Sequence, residues 1–112
     1  MTKRLSLSIV IPTKDRRELL FKSLKFLNKN FFFFNEIIIV DSSLNIINER
    51  DLKTSYRKSN IKYFTSKPST SMQRNLGLKN VRKKNKFVMF LDNDIRFNND
   101  ALKKMYRFIN KI

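Results

Sequence analysis

The sequence predicts an α/β fold, a mostly parallel open sheet with helices alternating between its strands. Four short runs rich in β-branched and aromatic residues are separated by segments whose apolar residues recur at helical spacing. The run EIIIV at 36–40 is apolar at every position after its first, as expected for a strand that is covered on both faces. No internal repeat or linker divides the 112 residues, which is the length of one domain.

The first predicted unit is a strand followed by a helix. Residues 5–11, LSLSIVI, form the strand, and Pro12 is expected to end it because proline has no backbone N–H. Thr13 or Asp15 can cap the next helix, whose leucines at 19, 20, 24 and 27 are expected to share one face. The four phenylalanines at 31–34 are expected in the core or in a covered connection.

The remaining segments continue the alternation of strands and helices. The strand at 36–40 precedes a weak helix over 44–58 and a third strand over 61–65. A helix over 71–83 contains Gly77, which costs about 1 kcal/mol relative to alanine and therefore indicates close packing. A fourth strand over 87–91 precedes a final helix. Its cap is Asn98, Asn99 or Asp100, and its apolar stripe is Leu102, Met105, Tyr106 and Ile109.

Composition excludes several kinds of site. The chain has no cysteine and no histidine, so it has no disulfide framework, no thiolate metal site and no imidazole base. No apolar run approaches the roughly 20 residues that a membrane span requires, and the N-terminus lacks the features of a signal peptide. We therefore expect a cytoplasmic setting, with peripheral contact with the inner face of the membrane as an option.

Charge favours an anionic partner. Lys and Arg number 25 against 9 Asp and Glu, which gives a formal net charge of +16. Such a field attracts nucleic acid, phosphorylated metabolites and acidic lipid headgroups alike. The lysines are spread over most of the chain, so charge alone does not choose among these partners. One functional hypothesis is therefore a basic module that binds nucleic acid or an acidic membrane surface.

Ligands of parallel α/β sheets bind outside the carboxyl ends of the strands, where this chain places aspartates. Asp92 and Asp94 follow the fourth strand and lie two positions apart, so both can face one ligand at about 6.6 Å spacing. Paired carboxylates repel each other unless a cation lies between them, and Mn²⁺ or Mg²⁺ would suit such a site. On spacing alone, turns that lead into the next helix explain the two aspartates equally well.

Four motifs occur in a particular order. They are SIVIPTKDR at 8–16, EIIIVDSS at 36–43, QRNLGL at 73–78 and FLDNDIRF at 90–97. In order and approximate spacing they resemble the N-terminal half of the family 2 inverting glycosyltransferases. The resemblance covers essentially all of residues 1–112 as one domain. It implies the Rossmann-like, nucleotide-sugar-binding half of a GT-A fold, which serves the transfer of a sugar from a donor such as a UDP-sugar to an acceptor.

The resemblance also implies roles for residues that follow the first strands. Pro12 and Thr13 would line the nucleotide pocket, and Asp41 would accept a hydrogen bond from a uracil-type base. Arg74 would lie near the base or the diphosphate, whose charge it can neutralise. From the residues alone, a helix cap explains Asp41 and a solvated helix surface explains Arg74.

At the DxD motif, the resemblance implies that Asp92 contacts the ribose and that Asp94 holds the Mn²⁺ or Mg²⁺ bound to the diphosphate. The catalytic base of the resembled family is an acidic residue well beyond this motif, so the base stays unknown here. We therefore expect a domain truncated after the motif and inactive alone. Self-association or a complementing C-terminal half would then complete it, and a catalytically dead pseudo-domain is a further alternative.

Overall fold

The computed structural model describes residues 6–91 together with Lys103, Lys104, Arg107 and Phe108, which are helical. In this part of the chain the strands are β1 (Leu7–Thr13), β2 (Glu36–Asp41), β3 (Ile61–Thr65) and β4 (Phe87–Phe90). They form one parallel sheet in the order β3-β2-β1-β4. The helices are α1 (Arg17–Lys29), α2 (Glu49–Ser55) and α3 (Thr70–Lys79), with 3-10 turns at Phe31–Phe33 and Arg57–Ser59. The predicted α/β class is confirmed.

The core lies on both faces of β1 and β2, the two central strands. One face packs against α1 through Leu20, Leu24 and Leu27, which are all buried. Leu19 was expected on the same face but is 38% exposed, because it lies about 100° around the helix from Leu20. On the opposite face of the sheet, a smaller cluster around Val10 packs beneath α3.

Pro12 does not end β1, contrary to the prediction. The backbone carbonyl of Thr13 accepts from the N–H of Ser42, which follows β2, so the backbone polar groups of Thr13 point towards β2. The backbone groups of successive residues in a strand point to alternate sides, so those of Pro12 point towards β4. The pairing with β4 described in the structure ends at Val10, two residues earlier, so the missing N–H of Pro12 breaks no bond of that pairing.

The predicted cap of α1 is also wrong. Arg16 is the residue that precedes the helix, and it has no side-chain cap. Asp15 instead adopts a left-handed backbone conformation with φ 56°, and its N–H donates to Ser43 Oγ at 2.6 Å. The loop after β1 is therefore bonded to the loop after β2 and does not fold back onto its own helix.

The other two helices are shorter than expected, and polar side chains fix where each of them begins. Asn48 Oδ1 accepts from the N–H groups of Arg50 and Asp51, so α2 begins at Glu49. Ser69 Oγ accepts from Met72 N–H, and α3 begins at Thr70 and ends at Lys79. Serine and asparagine favour such positions because their oxygens satisfy N–H groups that lack a helical partner.

Gly77 confirms the expected close packing of α3 on the sheet. A Cβ at this position would lie 2.4 Å from Val10 Cγ1, so only glycine fits.

The predicted burial of the phenylalanines at 31–34 holds for only some of them. Phe34 is buried, whereas Phe32 is 45% exposed. Residues of β4 are half-buried or exposed. The predicted stripe and cap of the final helix lie outside the described residues.

Glu36 organises the amino ends of the strands. Its Oε2 accepts from Ser8 Oγ at 2.6 Å and from the backbone N–H of Arg82 at 2.7 Å, and Asn85 Nδ2 lies 3.3 Å away. The ammonium of Lys62 lies 2.8 Å from Oε1. Burial would raise the pKa of Glu36, but the contacts with Arg82, Lys62 and Ser8 outweigh it and lower the pKa below 4.5.

Candidate functional site at the carboxyl edge

Asp41 is the centre of the carboxyl edge of the sheet. It ends β2 and pairs in register with Thr13, the last residue of β1. Its side chain is buried, and Oδ1 accepts from Ser43 N–H at 2.9 Å and from Ser43 Oγ at 2.6 Å. Oδ2 accepts from Arg17 at 2.7 Å and from the Tyr63 hydroxyl at 2.6 Å. These donors fill the roughly four acceptor positions of a carboxylate.

The contacts of Asp41 keep it ionised. Burial would raise its pKa, but hydrogen bonds from Ser43, Tyr63 and Arg17 outweigh that effect, and the pKa lies below 3.8. Burial, and then the hydrogen bond to Asp41, raise the pKa of Tyr63 above 10.0. At neutral pH the site therefore holds a carboxylate and a neutral phenol that donates to it.

Arg17 connects the loops after β1 and β2. One nitrogen of its guanidinium bonds Asp41, and the other donates to the backbone carbonyl of Asn45. Its side chain is 28% exposed, so the cation lies at the boundary between the buried carboxylate and solvent. No sequence pattern indicates a role for Arg17, Ser43 or Tyr63. Only the fold shows that all three donate to the same aspartate.

Gln73 holds α3 against the same edge. It is buried, and its Nε2 donates to the carbonyls of Thr13 at 3.0 Å and Val40 at 2.9 Å. The segment QRNLGL was singled out as a motif, but no role was predicted for Gln73. Its spacing of four residues from Gly77 indicates that it faces the sheet, because this spacing places both residues on the same face of the helix. Gln73 therefore ties the ends of β1 and β2 together.

Arg74 lies on the exposed side of α3, near the end of β4. Its guanidinium carbon is 5.3 Å from the ring centroid of Phe90, a distance at which a cation is attracted to an aromatic face. Leu91 follows Phe90 and donates its N–H to the Val10 carbonyl at 2.9 Å. The cation of Arg74 thus lies beside the point at which the chain leaves β4.

The structure brings four of the predicted site residues to one edge: Pro12, Thr13, Asp41 and Arg74. Asp92 and Asp94 lie outside the described residues, so their roles stay predictions. Within the ranges that the structure describes, no group of three or more Asp, Glu, His or Cys side chains could hold a metal ion. No helix in those ranges is long and apolar enough to cross a membrane.

Solved structures with this fold are similar to the chain over most of its length. A crystal structure of S. aureus TarS has a TM-score of 0.71 and 25% identity, with 94% of this chain and 19% of that chain covered. Its 1-349 form in complex with UDP-GlcNAc has a TM-score of 0.69 and 26% identity, with 94% and 31% covered. The chain therefore spans less than a third of the length of either. Among curated proteins no match was found.

A family model supplies the assignment. The model described as Glycosyl transferase family 2 matches residues 8–112, a range that includes the strands except for Leu7, the Asp41 cluster and α3. This match confirms the resemblance that the four sequence motifs indicated. The chain belongs to glycosyl transferase family 2.

Proposed function

We propose that this chain binds a nucleoside-diphosphate sugar at the carboxyl edge of its sheet, as the donor-binding part of an inverting glycosyltransferase. The observation that carries the proposal is the buried, ionised Asp41, held by donors from α1, β3 and the loop after β2. Family membership supports it, and so does the similar TarS structure, which is a complex with UDP-GlcNAc. These findings do not favour, in place of this function, the alternative of a basic module that binds nucleic acid or an acidic membrane surface.

Base recognition at Asp41 requires one of its present donors to be replaced, because both oxygens are fully bonded. The Ser43 hydroxyl is the donor that costs least to displace. It is neutral, and the backbone N–H of Ser43 continues to hold the same oxygen. Displacing Arg17 would break a charge-assisted bond, which is roughly twice as strong as a neutral one. We therefore assign the base N–H to Oδ1 of Asp41.

The cations of this edge suit the diphosphate. Arg74 lies beside the end of β4, and Lys14 is exposed in the loop after β1. In this proposal Pro12 and Thr13 form the floor of the pocket next to these charges. Thr13 is buried and its carbonyl is bonded to Ser42 and Gln73, so the floor is rigid.

Asp94 is proposed as the ligand of Mn²⁺ or Mg²⁺, and Asp92 as the ribose contact. The donor set fits a hard divalent cation, because carboxylate oxygens are the ligands these ions prefer. When bound, the cation would neutralise charge on the departing diphosphate. Both aspartates follow Leu91, whose backbone bond to β1 places it at the carboxyl edge.

The acceptor, the linkage and the catalytic base are not assigned to residues of this chain. Inverting transfer requires a group that takes a proton from the acceptor hydroxyl. Asp41 is unsuited to that task because its lowered pKa and filled hydrogen bonds make it a weak base. We propose that a group other than Asp41 supplies the base. A cytoplasmic setting also stays a prediction.

Calorimetric titration of UDP into the full chain, with and without Mn²⁺, tests the proposal. We expect binding that Mn²⁺ strengthens, and we expect Asp94→Ala to weaken the Mn²⁺-dependent binding by about tenfold or more. Asp51→Ala is the matched control, because it removes the same charge from the exposed start of α2. A UDP affinity that changes neither with Mn²⁺ nor in Asp94→Ala would contradict the metal assignment. The absence of any UDP binding would contradict the proposed function itself.

A further inference from the structure

The described part of the chain gathers cations at the amino edge of its sheet, where it places no exposed carboxylate. All strands are parallel, so every segment that leads into a strand reaches the same amino edge of the sheet. Lys29 ends α1 before β2, Arg57 and Lys58 precede β3, and the sequence RKKNK at 82–86 precedes β4. We call Lys29, Arg57, Lys58 and the turn 82–86 the basic edge. The proposed nucleotide site lies at the opposite, carboxyl edge.

Acidic residues follow the reverse distribution. Asp15 and Glu18 come after β1, and Glu49 and Asp51 begin α2 after β2. Among the described residues, Glu36 is the acidic residue at the amino ends of the strands, and it is buried and paired with Lys62. Surface carboxylates that could neutralise the basic edge are therefore found on the far side of the sheet. Among the described residues, the cations of the basic edge therefore have no surface carboxylate of that edge to neutralise them, and they give it a positive potential.

The turn 82–86 is held in place by its backbone, which leaves its lysines at the surface. Arg82 N–H and Asn85 Nδ2 contact the buried carboxylate of Glu36. Ser6 Oγ donates to the carbonyl of Lys84, and the N–H of Lys86 donates to the Ser6 carbonyl. The side chains of Lys83, Lys84 and Lys86 are exposed. A fixed backbone thus presents closely spaced ammonium groups to solvent.

An aromatic side chain lies at the same edge. The turn Phe31–Phe33 precedes β2, and Phe32 is 45% exposed. Phe32 stacks on Phe31 with ring centroids 4.1 Å apart, and Lys58 Nζ lies 5.0 Å from the Phe31 centroid. The ring of Phe31 is therefore occupied, while Phe32 presents an apolar surface beside cations.

We propose that the basic edge docks on a bilayer surface of anionic phospholipid, with Phe32 at the level of the headgroups. Lysines and arginines near such a surface are attracted by its negative potential, and aromatic rings favour the interfacial region. A nucleic-acid platform needs several open ring faces on which bases stack, whereas Phe31 already uses its ring for Phe32 and Lys58. Docked this way, β1 would hold the carboxyl edge roughly 20 Å above the lipid and open to water.

Co-sedimentation of the full chain with vesicles tests this proposal. One set of vesicles is phosphatidylcholine alone, and the other is phosphatidylcholine mixed with phosphatidylglycerol. We expect binding to the anionic set only, weakened by salt. The variant Lys83→Gln/Lys84→Gln/Lys86→Gln should bind roughly tenfold less tightly or worse. The control Lys14→Gln/Lys22→Gln/Lys67→Gln removes the same charge from exposed positions away from the basic edge. Its affinity for the anionic vesicles should fall much less.

Further measurements complete the test. Phe32→Ser should reduce the binding that persists at high salt, because it removes apolar contact and no charge. Thermal melts should show both triple variants folded, and UDP affinity should be unchanged in the variant at 83, 84 and 86, which separates this proposal from the nucleotide site. Equal losses of vesicle affinity in the two triple variants would contradict docking through the basic edge. Tighter binding to a single-stranded RNA than to vesicles at equal phosphate concentration would overturn the lipid assignment.

Discussion

A buried carboxylate stands at each end of β2, and each has a different task. Glu36, the first residue, holds the turn that leads into β4, whereas Asp41, the last, holds the loops of the proposed nucleotide site. Both have a lowered pKa because hydrogen-bond donors outweigh the effect of burial. The segment EIIIVD shows both acids, but the sequence analysis gave a role only to Asp41. The donors of Glu36 come from residues as distant as Arg82, which local spacing does not reveal.

Replacing Glu36 should destabilise the chain in a pH-dependent way. Glu36→Gln keeps an acceptor oxygen but loses the ion pair with Lys62, and we expect a loss of about 1–3 kcal/mol in the free energy of unfolding at neutral pH. Lys62 is itself 36% exposed, so the loss should fall below that of a fully buried pair. Urea unfolding measures it. Glu49→Gln, in an exposed pair with Lys53, should lose about 0.5 kcal/mol or less.

The sign of the pH dependence follows from the lowered pKa of Glu36. A carboxyl whose pKa is lower in the folded state stabilises the fold above its unfolded value, here 4.5, and loses this contribution as pH falls through the folded pKa. The difference between the parent and Glu36→Gln should therefore shrink as the pH falls below 4.5. A difference that stays constant or grows on acidification would contradict this account.

At the scale of elements, α3 is the helix that joins the core to the site. Gly77 and Gln73 lie on the same buried face, one against Val10 and the other against the carbonyls of Thr13 and Val40. The sequence analysis predicted the close packing from a glycine inside a helix, and the structure confirms it. It did not predict the role of Gln73, because the carbonyls it bonds lie on two strands that become neighbours only in the folded sheet.

Gly77→Ala should destabilise the chain although alanine is the better helix former. The new Cβ would lie 2.4 Å from Val10 Cγ1, and valine has little freedom to rotate away. Overpacking typically costs about 1–3 kcal/mol, and the better helix propensity of alanine offsets about 1 kcal/mol of it. We therefore expect the free energy of unfolding to fall by up to about 2 kcal/mol.

Urea unfolding of the single and double variants checks this expectation. Val10→Ala alone should also destabilise, because it removes buried methyl groups. Combined with Gly77→Ala, it should cost less than the sum of the two single changes, since the clash partner is gone. Strict additivity would show that the contact between Gly77 and Val10 does not limit the packing.

At the scale of the whole molecule, charge opposes folding while packing favours it. A net charge of +16 on 112 residues causes self-repulsion that the compact state increases. Part of this repulsion is concentrated at the basic edge, because the lysines of one short turn lie close together there. The carboxylates of Glu36 and Asp41 are buried, so salt should screen their ion pairs less than it screens the surface lysines.

We therefore expect added salt to stabilise the chain. Raising NaCl to about 1 M, where the Debye length is about 3 Å, should raise the melting temperature by several degrees. The variant Lys83→Gln/Lys84→Gln/Lys86→Gln should melt higher than the parent at low salt and gain less from added salt. Differential scanning fluorimetry provides both values. A melting temperature that falls with NaCl would show that attractive surface pairs dominate.

By itself, the sequence determined the class of fold, the order of the strands along the chain and the family. The period of apolar residues and the placement of Pro, Gly and Asp are local properties, and four ordered motifs are enough to match a family. They also placed Pro12, Thr13, Asp41 and Arg74 at one edge, because parallel strands end on the same side.

Only the tertiary structure decided which groups meet. It showed that Asp41 is shared by Arg17, Ser43 and Tyr63, and that α1 lacks the side-chain cap expected at its start. It also showed that cations from separate connections converge at the amino edge. The physical reason is that hydrogen bonds and surface potential depend on distances in space. Residues separated by tens of positions acquire those distances only when the sheet forms.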